Sequence, residues 1–224
     1  VPHGLEQPGG AAWGTRDICQ GPFEYFLTTQ HLALARDVLL RIFAHQQSDT
    51  GEWPQWFMFD RYTMDAGECH GDVVFWPLKC VADYLAAAGD DSVLGETLPY
   101  TTLHGGAPAA PETLSGHIRR AVESIRGRFL DGTRLISYAG GDWDDTLQPA
   151  DPAMKEHMVS AWTQALAYQT LRSLGEALRP ACPEFGAELG ALADGIAADF
   201  TRYLIRDGQI AGFAFRNGDG SFRY

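Results

Sequence analysis

The feature that most limits how this chain can fold is a recurrence of helix-length amphipathic segments separated by glycine- and aspartate-rich loops. Over 112–129, Ile118, Ala121, Ile125 and Phe129 share one helical face, while Arg119, Arg120, Glu123 and Arg126 share the other. The same period runs over 18–47 through Phe23, Leu27, Leu34, Val38 and Ile42. Gly21-Pro22 marks a break there, so one long or two short helices are expected. Residues 77–88 read as a helix that carries Pro77 in its first turn, where no amide donor is needed, and that stops at Gly89-Asp90-Asp91. Two more helices are expected over 155–178, with Trp162, Leu166, Leu171 and Leu174 in the core, and over 185–205. The aromatic stretch 53–59 contains Pro54 and is too short for a typical helix. Residues 1–12 read as loop, and 208–224 as loop or a short hairpin.

The expected class is all-α. Helix after helix joined by acidic, aromatic loops fits a toroid of helical hairpins whose loops meet at a cleft better than a bundle with short connections. The chain closes on a glycine-rich piece without a final helix, so a single partial domain over 1–224 is expected. Hydrophobic residues make up 45% of the sequence, enough for a sizeable core. Lys and Arg number 17 against 29 Asp and Glu, a formal charge of -12 that argues against nucleic acid or an anionic membrane as partner. A membrane-length apolar run and a signal-peptide pattern are both missing, which makes a cytoplasmic protein the expectation; a homo-oligomer is left open. Cys19, Cys69, Cys80 and Cys182 have no C-x-x-C pairing and are expected as free thiols.

Three loops concentrate the chemistry: Trp13-Gly14-Thr15-Arg16-Asp17, His70-Gly71-Asp72, and Gly140-Gly141-Asp142-Trp143-Asp144-Asp145. Six tryptophans and a 12% aromatic content beside carboxylates suit a sugar-binding cleft, where rings stack on C–H faces and acids bond hydroxyls. Asp72 has two readings: a cap for the helix that follows, or a general acid desolvated by Val73, Val74, Phe75 and Trp76. Arg16-Asp17 is either a local ion pair or a binding pair. The aspartates at 142, 144 and 145 lack the glycine and glutamate of a calcium loop, and no second histidine stands at ligand spacing from His70. No metal is therefore expected, and His70 is expected to hydrogen-bond or stack. His31, His45 and His117 read as surface or helix-face residues. A G-x-S-x-G elbow for serine catalysis is missing.

Taken in order, WGTRD (13–17), HGDVVFWP (70–77) and GDWDD (141–145) resemble the W-G-x-R-D, W-S-D-D-x-L-W-L-P and G-D-W-N-D segments of glycoside hydrolase family 94, the cellobiose phosphorylase family. RDICQGPFEYF, GEWPQWFMFDRY and CHGDVVFWPLK are most similar to its branch acting on β-1,2-linked oligoglucans, and the resemblance runs from about Trp13 to the end of the chain. It implies an incomplete (α/α)6-barrel truncated at both ends, because that family carries a β-sandwich and the first barrel helices upstream. Its phosphate-binding histidine lies beyond the point matching Tyr224. It also implies inverting phosphorolysis of β-glucosides to α-glucose 1-phosphate, with an oligosaccharide substrate, inorganic phosphate as co-substrate and no cofactor. Asp72 falls on the family's general acid, Asp17 on the carboxylate that holds donor-sugar hydroxyls, and His70 on a position that is Trp in cellobiose enzymes. The resemblance places Arg16 with Asp17 in substrate binding and sets Asp142, Trp143 and Asp144 on the cleft loop. Val73 stands for the family's second Asp, and Asp144 for its usual Asn.

An inverting hydrolase needs an acid and a base, whereas phosphate is already an anionic nucleophile and dispenses with the base. Two other readings stay open. One is a hydrolase or transglycosylase on the same barrel, with Asp144 or Asp145 as base or nucleophile. The other is a non-catalytic carbohydrate-binding helical module whose aspartates cap helices and bond hydroxyls.

Overall fold

The computed structural model describes residues 12–58 and 69–224. The loop expected before Ala12 and the end of the aromatic stretch at Phe59 lie outside the described residues. Three helices, rather than one or two, occupy the first periodic segment: α1 (Thr15–Gln20), α2 (Pro22–Thr28) and α3 (Leu32–Phe43). Pro22 opens α2, where its missing amide is harmless, and Gln30 in the left-handed region (φ 61°) supplies the second break, which periodicity does not reveal. The helix α4 (Phe75–Ala88) ends at Gly89, whose φ of 60° suits glycine and whose amide donates to the Leu85 carbonyl. The helix α5 (Leu114–Gly127) is capped by Thr113, whose Oγ1 accepts from the Gly116 amide at 3.2 Å. It buries Ile118, Ala121 and Ile125 as its period predicts, and Phe129 falls beyond its end.

The long helix expected over 155–178 is broken into α6 (Pro152–His157) and α7 (Ala161–Leu178), and α8 (Pro183–Asp199) follows. Short strands also correct the all-α expectation at the edges of the helical body. β1 (Trp13–Gly14) pairs with β2 (Trp56–Phe57), and β3 (Thr97–Leu98) with β4 (Glu112–Thr113). The break between α6 and α7 is β5 (Met158–Ser160). The tail contributes a hairpin of β6 (Ile205–Arg206) and β7 (Gln209–Ile210), then β8 (Phe213–Arg216) and β9 (Phe222–Arg223). β8 pairs antiparallel with β5, so a partner more than fifty positions away takes Val159 and Ser160 out of the helix. Val159 is buried there in a small second core with Leu135, Leu204 and Ala214.

The main core is helical. α4 packs against α1, α3 and α7, and α7 packs along α8. Gly175 and Gly186 permit that last contact: a Cβ on Gly175 would sit 2.8 Å from the Gly186 carbonyl oxygen. Trp162 is not a core residue but is 40% exposed, because the strand break leaves it at the open end of α7. His117 corrects its surface reading. It is fully buried, with Nδ1 2.7 Å from Gln46 Oε1, Nε2 3.2 Å from the Leu98 carbonyl and its ring stacked on Tyr100. His31 is exposed, and the half-buried His45 stacks on Phe57. All four cysteines are free, and burial pushes the Cys69 and Cys80 thiols well above their ordinary value, so neither is a ready nucleophile. Among the described residues no helix is long and apolar enough to cross a membrane.

Candidate functional site

Each polar loop is held by its own local device. β1 is anchored to the 54–57 stretch: Thr15 Oγ1 donates to the Pro54 carbonyl at 2.6 Å and the Thr15 amide to the Gln55 carbonyl at 2.9 Å. This aims Arg16, at the start of α1, into the protein, where it is 5% exposed. The 70–72 loop is pinned to the 139–141 loop by the Gly71 amide, which donates to the Gly141 carbonyl at 2.8 Å. Arg128 clamps both loops, donating to the carbonyls of Gly71 at 2.7 Å and Ser137 at 2.8 Å. Gly71 has no room for a side chain, since a Cβ would lie 2.5 Å from the Tyr138 carbonyl oxygen. Gly71→Ala is expected to destabilise the protein by about 1–3 kcal/mol, read as a lower denaturation midpoint, because neither backbone can yield freely.

The three loops meet on one guanidinium. Arg16 Nη2 donates to Asp72 Oδ1 at 2.9 Å and to the Asp142 carbonyl at 3.1 Å. Nη1 donates to Asp145 Oδ1 at 2.9 Å and to the Trp143 carbonyl at 3.3 Å. The Nε–H is buried and has no acceptor among the described residues. Burial works against the Arg16 charge, but the Asp72 and Asp145 carboxylates outweigh it and hold the proton beyond its ordinary value. These partners replace the Arg16-Asp17 pair considered from sequence. Asp17 instead is half-buried and lines, with Arg16, Gln20, Trp143 and Asp145, an open depression of about 460 Å³.

Asp72 is fully buried and does not cap α4. Its backbone carbonyl accepts from the Phe75 amide at 3.0 Å, while the carboxylate turns aside to Arg16 and to Trp76, whose indole N–H donates to Oδ2 at 2.9 Å. His70 Nδ1 lies 2.9 Å from the Asp142 carbonyl and 3.1 Å from Asp145 Oδ1, and Nε2 lies 3.2 Å from Gln148 Nε2. Arg16 Nη2 also lies 3.2 Å from Nδ1 but directs its two protons to Asp72 and the Asp142 carbonyl, so the acceptors beside Nδ1 and the amide donor beside Nε2 assign the ring proton to Nδ1. Asp142 faces inward: Oδ2 accepts from Ser160 Oγ at 2.6 Å and Oδ1 from the Asp144 amide at 3.0 Å. The same Ser160 Oγ accepts from the Thr163 amide and caps α7, so one hydroxyl ties the loop to a helix start. Removing it in Ser160→Ala is expected to cost about 2–4 kcal/mol, the sum of a cap and a hydrogen bond to a buried carboxylate, measured by chemical denaturation.

Trp143 is 52% exposed and donates Nε1–H to Gln20 Oε1 at 3.2 Å. Asp144 points to solvent, where the Thr146 amide and hydroxyl hold its carboxylate below the usual range, so it is not drawn in with Arg16. The arrangement therefore gathers Arg16, Asp72, His70 and the Asp142 and Trp143 backbone, with Asp17 on an adjoining wall. It adds three side chains beyond the candidates, Trp76, Ser160 and Gln148, and singles out Asp145. Trp76 stands four positions after Asp72, a helical spacing that could have marked it. Asp145 was one of three neighbouring acids that nothing local ranks, and Ser160 and Gln148 carry no local signal. Among the described residues no group of three His, Cys, Asp or Glu side chains is arranged to hold a metal.

No protein-family model matches the chain. Over 217 residues, 96% of its length, the chain is 49% identical to a 1,2-beta-oligoglucan phosphorylase of Listeria innocua. It spans 20% of that protein's length. At this identity over nearly all of its own length, the chain is related to a segment of a phosphorylase.

Proposed function

We propose that this chain is the acid-bearing part of the catalytic domain of an inverting phosphorylase that acts on β-1,2-glucooligosaccharides. The observation that carries the reading is the convergence, on Arg16, of the three loops whose residues resemble the phosphorylase family, in a chain 49% identical to a relative named for that activity. In this reading α1 to α8 are part of an (α/α)6-barrel completed by other parts of a longer protein.

Asp72 is the general acid. Its O–H protonates the glycosidic oxygen, the bond from that oxygen to the anomeric carbon breaks, and a phosphate oxygen attacks the anomeric carbon from the opposite face. The products are α-glucose 1-phosphate and an acceptor shortened by one unit. Each Asp72 oxygen keeps a lone pair beyond its bond to Arg16 or Trp76, so it can take up and release the proton without losing either contact. After transfer the carboxylate is left against the Arg16 cation. Asp17 bonds donor-sugar hydroxyls from the wall of the depression. Trp143 offers a ring to the sugar and Asp144 a hydroxyl contact at the rim. His70, with its ring fixed on both nitrogens, marks which β-glucan is accepted. Asp142 positions the loop through Ser160.

The test is incubation of the full-length protein with β-1,2-glucooligosaccharides, with and without phosphate. Glucose 1-phosphate formed only with phosphate is expected. Glucose released without phosphate would overturn the phosphorylase reading and favour a hydrolase with Asp145, the acid on Arg16's other nitrogen, as base. Binding without any turnover would favour a carbohydrate-binding module.

A further inference from the structure

Three tryptophans step outward from Asp72. Trp76 donates its indole N–H to the carboxylate. The ring of Trp162 lies 6.2 Å from that of Trp76 at a 35° tilt, and the ring of Trp143 lies 6.2 Å from Trp162 at 34°. Exposure rises along the series from 8% to 40% to 52%. Large rings left side by side in solvent forgo the burial that normally places them in a core, and such patches mark binding sites. The outer two rings help to line a pocket of about 220 Å³, together with Leu147, Phe213, Asp144 and Ser160. Its two ends come from segments far apart in the chain, because the pairing of β5 with β8 brings Phe213 beside the start of α7.

The lining decides the ligand class. Aromatic rings sharing a lining with a solvent-facing carboxylate match a hexose, whose C–H face is apolar and whose edge is hydroxyl. A volume below the ~300–1,000 Å³ of clefts that enclose drug-sized ligands suits a single ring. We infer that this pocket is a further glucosyl subsite, in which Trp162 and Phe213 hold one unit of the β-glucan while Asp144 accepts a hydroxyl. The inference rests on the oligoglucan reading above. It makes Trp162 a substrate-contacting residue and gives the indole chain from Asp72 to the surface a role in aligning the glucan with the acid.

The experiment uses the full-length protein with Trp162→Ala and Trp162→Phe. Trp162→Ala is expected to raise the KM for β-1,2-glucooligosaccharides about tenfold, with a smaller change in kcat and the KM for phosphate held within about twofold; Trp162→Phe should recover most of the loss. An unchanged oligosaccharide KM, or a loss confined to kcat, would overturn the subsite. So would a lowered unfolding temperature with normal KM, which would mean that another part of the protein covers the ring. If the wild-type protein shows no phosphorolysis, titration of its tryptophan fluorescence with β-1,2-glucooligosaccharides still decides. A fluorescence change lost in Trp162→Ala supports the subsite although the phosphorylase reading has failed, and no change in the wild type overturns it.

Discussion

Asp72→Asn in the full-length protein is expected to lower phosphorolysis of β-1,2-glucooligosaccharides by about 10²–10⁴-fold, the range that a positioned proton donor contributes. An amide at this position cannot supply the proton to the leaving oxygen. It also disturbs the structure, since an Asn whose carbonyl faces Arg16 turns its NH₂ toward the Trp76 N–H, setting two donors against each other. An unsatisfied buried donor costs about 1–3 kcal/mol, so a loss of rate alone does not separate acid from scaffold. A β-glucosyl donor whose leaving group departs without protonation makes the separation. Asp72→Asn should process such a donor at close to the wild-type rate if Asp72 is the acid, and poorly if the substitution merely distorts the site. Wild-type turnover of the natural oligosaccharide by the variant would remove Asp72 from the mechanism.

Arg16→Met is expected to destabilise the protein by about 3–5 kcal/mol, the range measured when one partner of a buried ion pair is removed. Arg16 and Asp72 are 5% and 0% exposed, so the carboxylate would be left without water and without its cation. The same change releases the Asp145 side chain and the carbonyls of Asp142 and Trp143, uncoupling three loops at once. Combining it with Asp72→Asn removes the stranded charge, so the double variant should be more stable than the sum of the single losses allows, by about 0.5–3 kcal/mol. Denaturation midpoints of the four proteins measure this coupling. Strict additivity would mean that the pair contributes nothing beyond its separate contacts.

How legible the molecule was depended on the range of each interaction. α5 was readable because Ile118, Ala121 and Ile125 bury one face. The end of α4 was readable because only glycine adopts the φ of Gly89 freely. The helix expected over 155–178 held from Ala161 to Leu178, and its break at 158–160 was missed because helical period cannot register a strand partner that arrives from residues 213–216. His117 read as a surface or helix-face residue, and its burial on α5 was not legible because its partner, Gln46, is 71 positions away. Asp144 and Asp145 look equivalent in sequence, yet one is turned to solvent by Thr146 while the other reaches Arg16.

By itself, then, the sequence determined the helical faces, most of the breaks between them and the three loops that carry charged and aromatic residues. Each of those depends on neighbours within a turn or two of the chain. Only the tertiary structure decided that Arg16 joins Asp72 across 56 positions and Asp145 across 129, that Asp72 serves no cap, and that Trp162 faces outward. Those outcomes arise from packing between distant elements, where burial sets the ion pair's partners and a strand from the tail sets where α7 begins.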